Sequence, residues 1–183
     1  MASLTQRMIG AAKLDVQTYE EVEADQTATG QAMLVVILTS LAAGVGSFTL
    51  IGWRGAVVTT LAAVFGWFIW AFLTYLVGVK MMPEPQTEAD VGQLLRTIGF
   101  SSSPGILRVF GVVPVIGPLV GLVTSIWMLV AMVIAVRQAL DYTSTGRAIV
   151  VCLIGWVVYI VATFTVTAIF GGLAVLGGTL TGG

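Results

Sequence analysis

The sequence predicts an all-α integral membrane protein: a five-span helical bundle with a short, irregular third span and an N-terminal amphipathic helix. Three observations carry this. First, the runs 31–50, 55–79, 116–136 and 148–176 hold no internal charge. Each has about 20 or more residues, the length an α-helix needs to cross a hydrocarbon core of roughly 30 Å. Second, 57% of the chain is hydrophobic, only 9% is charged, and the mean hydropathy is +1.01. Soluble domains carry about a quarter of their residues as charges. Third, the basic residues sort to one side of a five-span arrangement, as cytoplasmic loops require.

The leader, 1–30, is expected on the cytoplasmic side. Leu4, Met8, Ala12, Val16 and Tyr19 recur at helical spacing, with Arg7, Lys13, Gln17 and Glu20 around the rest of the helix. That pattern fits an amphipathic helix on the bilayer surface, and equally a solvated lead-in to the first span. It lacks the continuous apolar stretch of a cleaved signal peptide and turns acidic through Glu20, Glu21, Glu23 and Asp25. Residues 25–30 read as the hinge into a membrane domain over 31–176.

Arg54 marks the junction between the first two spans, and Lys80 with Met81, Met82 and Pro83 closes the second at headgroup level. Thr87 is placed to cap an amphipathic helix running through Gln93, Leu94 and Arg96, with Asp90 as its acidic partner. The third span is the irregular one. Residues 94–113 are apolar on balance but include Arg96, Ser101, Ser102, Ser103, Pro104 and Arg108. As pure α-helix, 100–113 would rise only about 20 Å, short of the hydrocarbon thickness. The serine–proline run is therefore where the helix is expected to depart from regularity, with serine hydroxyls taking up freed backbone groups and a serine capping a helix that starts at Pro104.

Charge decides whether this segment crosses. If it does, Arg7, Lys13, Lys80, Arg96, Arg137 and Arg147 lie inside, only Arg54 lies outside, and Arg108 falls within the span. If it does not, the bias weakens to five against three. The crossing arrangement puts the N-terminus in the cytoplasm and the C-terminus outside. Pro114 and Pro118, with Gly111 and Gly117, predict a tight external turn before the fourth span. On that span Gly117, Gly121 and Ser125 share a face that Ala131 and Ala135 continue, and Thr163, Thr167 and Gly171 do the same on the fifth. Such stripes let backbones approach closely, within one bundle or across a homo-oligomer seam. Trp53, Trp67, Trp70, Trp127 and Trp156 are divided between interfacial anchors and packing residues. Residues 177–183 read as a flexible tail.

Composition also excludes. A net charge of −1 gives no basic stripe for nucleic acid. Cys152 is the only cysteine and there is no histidine, which removes an intramolecular disulfide, the commonest metal ligand and the commonest general base. No nucleophile–base pair, metal constellation or phosphate loop is legible, so neither an enzyme nor a cofactor is expected. Arg108 is the sharpest candidate. A guanidinium near mid-bilayer costs at least about 2.5 kcal/mol on insertion scales. With no acid in the apolar stretch of any span, its expected partners are backbone carbonyls, Ser101, Ser102, Ser103, Thr124, Ser125, water, a lipid phosphate or another subunit. Either it binds an anion or lipid headgroup with help from Ser101, Ser102 and Ser103, or it contacts a partner, or it snorkels to an interface along a tilted or re-entrant segment.

From Leu4 to Leu176 the chain resembles the Yip family of five-span membrane proteins, named for binding Rab-type GTPases in eukaryotes and found widely in bacteria. The resemblance rests on the span layout, on Gly99-Phe100-Ser101-Ser102-Ser103-Pro104 at the opening of the third span, and on Ile126-Trp127 leading to Val136-Arg137-Gln138-Ala139. The acidic Asp-Leu-x-Gly-Pro element of eukaryotic members is missing, with Asp15-Val16-Gln17-Thr18 in its place, so GTPase binding is not expected. The short leader matches bacterial members, which places the chain in the inner membrane. The resemblance implies a non-enzymatic scaffold or adaptor that works with membrane lipids and with other membrane proteins or copies of itself. The rival expectation is a small transporter, channel or lipid-handling protein that uses Arg108 inside the bundle.

Overall fold

A computed structural model describes the backbone of residues 2–181, and the side chains except those of Thr49, Ala162, Thr163 and 166–181. The side chains of the stripe expected at Thr163, Thr167 and Gly171 therefore lie outside the described residues, as do residues 182 and 183 of the tail expected over 177–183, whose residues 177–181 continue the last helix. Every regular element among the described residues is helical: α1 (Leu4–Ala12), α2 (Val16–Ala24), α3 (Ala28–Gly46), α4 (Phe48–Tyr75), α5 (Val91–Ser101), α6 (Gly117–Ala139) and α7 (Thr145–Thr181). A π-helical turn, Leu76–Met81, closes α4, and a 3-10 segment, Ser103–Val112, continues α5.

Three of these helices are long and apolar enough to cross a membrane, namely Ala28–Gly46, Leu50–Met81 and Gly117–Ala139, with a shorter apolar helix over Thr145–Val161. The chain is thus of membrane type, and the third segment does not join it as one regular helix. Ser101, Ser102 and Ser103 donate to the carbonyls of Ile98, Gly99 and Phe100, three residues back in each case. Those bonds take carbonyls that the α-helix would use, and the chain passes into the tighter i→i+3 pattern. Ser103 does not cap forward as expected; its hydroxyl points backward. Thr87 does not cap α5 either. Asp90 does, in a reciprocal capping box with Gln93, while the Thr87 hydroxyl donates to the carbonyl of Leu140.

α3 is the central helix, packed against α4, α5 and the 3-10 segment. Of its apolar window 39% is buried, against 11% for α4 and 22% for α6, which leaves α4 on the periphery. Glycines permit the closest approaches. A Cβ on Gly99 would lie 2.8 Å from the Cβ of Ala32, and one on Gly46 would lie 2.0 Å from the Arg108 carbonyl oxygen. These pairs fix direction: as α3 runs from residue 32 to 46, the third segment runs from 99 to 111 beside it, parallel to α3.

The leader is a helical hairpin and neither an isolated surface helix nor a solvated strand of chain. Leu14 takes a left-handed φ of 62°, which reverses the chain between α1 and α2. The hairpin buries Ala11, Tyr19 and Val22 and packs on α5, α6 and the 3-10 segment.

Candidate functional site

Two regions collect the chemistry-bearing side chains. The first is a cavity of about 590 Å³ bordered by α3, α4, the third segment, α6 and α7. Arg108 lies on its wall, half-buried, with Nε donating to the Thr124 hydroxyl at 3.4 Å and Nη2 to the Ser125 hydroxyl at 3.0 Å. Both hydroxyls give their own hydrogens to α6 carbonyls, to Val120 and to Gly121 respectively, so they are free to accept from Arg108. Among the described residues Arg108 has no carboxylate partner. The Nε1 of Trp70, another residue on the wall, is buried without a hydrogen-bond partner.

Of the three serines expected to help Arg108, only Ser102 lines this cavity; Ser101 and Ser103 are buried in the helix packing. The expected stripe on α6 also divides. Gly117 packs on Gly111, Ser125 serves Arg108, and a Cβ on Gly121 would meet nothing within 4 Å.

The second region is the end of the bundle where the leader meets the two loops after the π-turn and after α6. Arg7 is 2% exposed; its Nη2 reaches Glu21 at 3.0 Å and Asp25 at 2.5 Å, and its Nη1 donates to Gln31 at 3.0 Å. Arg96 is 5% exposed and donates to the carbonyls of Val22 and Glu23, the orphan acceptors in the last turn of α2. Gln93 donates to the Glu23 carboxylate at 3.2 Å. Burial, with Asp141 adding to it against the attraction of Arg96, pushes Glu23 up to about 7.

The loops are tied down as firmly. The Tyr142 hydroxyl shares its one hydrogen between the carbonyls of Gly78, at 2.9 Å, and Met82, at 2.7 Å, at the end of the π-turn. The backbone N–H and hydroxyl of Thr143 both donate to Glu84 at 3.0 Å, and Arg147 approaches the same carboxylate at 3.2 Å. These bonds, the backbone one foremost, hold Glu84 below the usual carboxylate range. Arg137 bonds the carbonyls of Tyr142 and Thr143. The result is one platform in which Glu20, Glu88, Asp90 and Asp141 are exposed.

Sequence reading used Arg7 and Arg96 as markers of sidedness and as members of amphipathic helices, and missed that both are buried clamps. The acids Glu21 and Asp25 were visible, but their pairing with Arg7 depends on the reversal at Leu14, which no turn motif announces. Trp67 was likewise missed as a donor; its Nε1 bonds the Leu95 carbonyl at 2.9 Å.

The family model described as the Yip1 domain matches residues 16–166, from the start of α2 into α7. Comparison with curated proteins and with solved structures finds no match.

Proposed function

Because the chain belongs to the Yip1 domain family, we propose that it is a non-enzymatic scaffold or adaptor, a bacterial-type member of the inner membrane that assembles with other membrane proteins or with itself. The observation that carries this reading is the acid-rich platform. Two buried arginines, Arg7 and Arg96, and a set of loop-to-loop hydrogen bonds hold the hairpin and both loops in one arrangement. A surface ordered in advance avoids the entropic cost of ordering it on contact, which suits recognition of a partner.

The proposed topology is five spans, with the platform in the cytoplasm and the C-terminus outside. The course of the third segment supports it. From Ala32 to Gly46 an α-helix rises about 21 Å, and residues 99–111 keep pace with it. The ten residues of the 3-10 segment extend about 20 Å by themselves at 2.0 Å per residue. The more extended geometry makes up the length that a regular helix would lack.

A mild-detergent pull-down with mass spectrometry tests the adaptor reading, comparing the wild type with the double variant Glu20→Lys, Glu88→Lys. The expected outcome is a reproducible partner set retained by the wild type and lost by the variant at unchanged expression and melting temperature. The same proteins recovered with both, or none with either, would overturn the reading.

A further inference from the structure

We propose that the cavity beside Arg108 binds an anionic membrane lipid, with the charged group at the guanidinium and an acyl chain along the inner face of α4. The inference does not depend on the adaptor reading. A guanidinium has five N–H donors. Two of those of Arg108 go to Thr124 and Ser125, which leaves three without a described acceptor. Trp70 lines the same wall, but its unpaired N–H is buried and out of reach of a ligand there, so the unmet donors are those of Arg108. The other polar groups there, such as Ser40, Ser47 and Thr59, spend their hydrogens on carbonyls of their own helices. What the cavity lacks is therefore a negatively charged acceptor.

The rest of the cavity selects the kind of anion. Ala62, Ala63, Gly66, Ile98 and Met132 give it an apolar length, and a Cβ on Gly66 would meet nothing within 4 Å. The space of about 590 Å³ lies in the range of roughly 300–1,000 Å³ in which small molecules are held. Ile51, Thr59 and Ala62 on its margin are exposed, so it opens sideways from a helix that the bundle covers least. A free inorganic anion would have to shed its water in an apolar slot, whereas a lipid enters from hydrocarbon and brings its own apolar chain.

The test uses the full chain in a neutral detergent, with native mass spectrometry of bound phosphatidylglycerol and of phosphatidylcholine carrying the same acyl chains. The wild type is expected to prefer the anionic lipid by at least about tenfold, the order of one charge-assisted hydrogen bond. Arg108→Gln abolishes the preference. Gly66→Leu fills the chain slot and lowers retention of both lipids while leaving the melting temperature near that of the wild type. Equal retention of the two lipids by the wild type, or a preference that survives Arg108→Gln, would overturn the proposal. Displacement of bound lipid by millimolar inorganic phosphate would assign the site to a free anion instead. A lipid-free dimer that Gly66→Leu converts to monomer would place a second copy over the slot, with the same consequence. Should Arg108→Gln fail to fold, Gly66→Leu decides alone, and undiminished retention of phosphatidylglycerol sinks the idea.

Discussion

The indole N–H of Trp127, near the middle of α6, donates to the carbonyl of Ala12 at 2.8 Å. Ala12 ends α1, and its carbonyl is one of the acceptors that a helix leaves unpaired at its C-terminus. The bond fixes the tip of the leader hairpin against the body of the bundle, well away from the platform where Arg7 and Arg96 hold the hairpin's other end.

Replacing Trp127 with Phe keeps most of the packing and removes that donor. The expected loss is about 1 kcal/mol, the worth of one hydrogen bond, concentrated at the hairpin tip. Lys13 is exposed just beyond Ala12, so limited tryptic cleavage after Lys13 reads the effect directly. Cleavage several-fold faster than wild type, with little change in global melting, is the expected result; an unchanged rate would show that the bond does not secure the tip.

Gly10 makes the hairpin possible in another way. A Cβ there would lie 2.1 Å from the Thr18 hydroxyl oxygen, with other Thr18 atoms at 3.0 Å. Gly10→Val should therefore part α1 from α2, and the companion change Thr18→Gly should restore part of the loss. Cleavage after Lys13 measures both. Additive losses in the double variant would show that the two residues do not meet.

Much of this architecture was readable because lipid imposes it. Charge-free runs of spanning length have few alternatives, so the regions of α3, α4 and α6 could be read from composition, although their ends shift. The first junction illustrates the shift: α3 stops at Gly46, and Gly52, at a φ of 61°, breaks the helix again before Arg54. The irregular third segment was legible from Ser101 to Pro104, because hydroxyls beside a proline compete with the helix's own bonding. The hairpin was not legible. Its fold depends on Leu14 at positive φ and on ion pairs of the buried Arg7 with Glu21 and Asp25, residues that share no local motif with it. Small-residue stripes were only half informative, since spacing shows where helices can approach and not which glycine they use.

Gly46 and Gly121 make that last distinction measurable. A Cβ at Gly46 would run into the Arg108 backbone, which cannot swing aside as a side chain can, while Gly121 is open. Gly46→Ala should destabilise the protein by about 1–3 kcal/mol or more through overpacking. Gly121→Ala should stay within about 0.5 kcal/mol of the wild type. Thermal melting in one detergent ranks them. If Gly121→Ala were the worse, another helix would have to occupy that face, and crosslinking of Gly121→Cys would reveal whether it belongs to a second copy.

The platform carries its own pH dependence. Glu23 titrates at about 7 in the fold, above the ordinary carboxylate value of 4.5, because burial and the neighbouring Asp141, Glu20 and Asp90 outweigh Arg96. Between those two values the folded protein holds more protons than the unfolded chain, so stability falls as pH rises, by at most about 1.4 kcal/mol per pH unit. Asp25 works in the opposite sense. The Thr27 hydroxyl and Arg7 hold it at about 2, so its contribution is present above its ordinary value of 3.8 and is lost as pH falls toward 2. Stability at the platform should therefore peak between about pH 4 and 5 and decline toward pH 8. Hydrogen exchange at the end of α2 across this range follows it locally. Glu23→Gln removes the charge and keeps the shape, which should flatten the decline above pH 5 while leaving the acid limb to Asp25. An unaltered alkaline limb in that variant would mean that another group sets it.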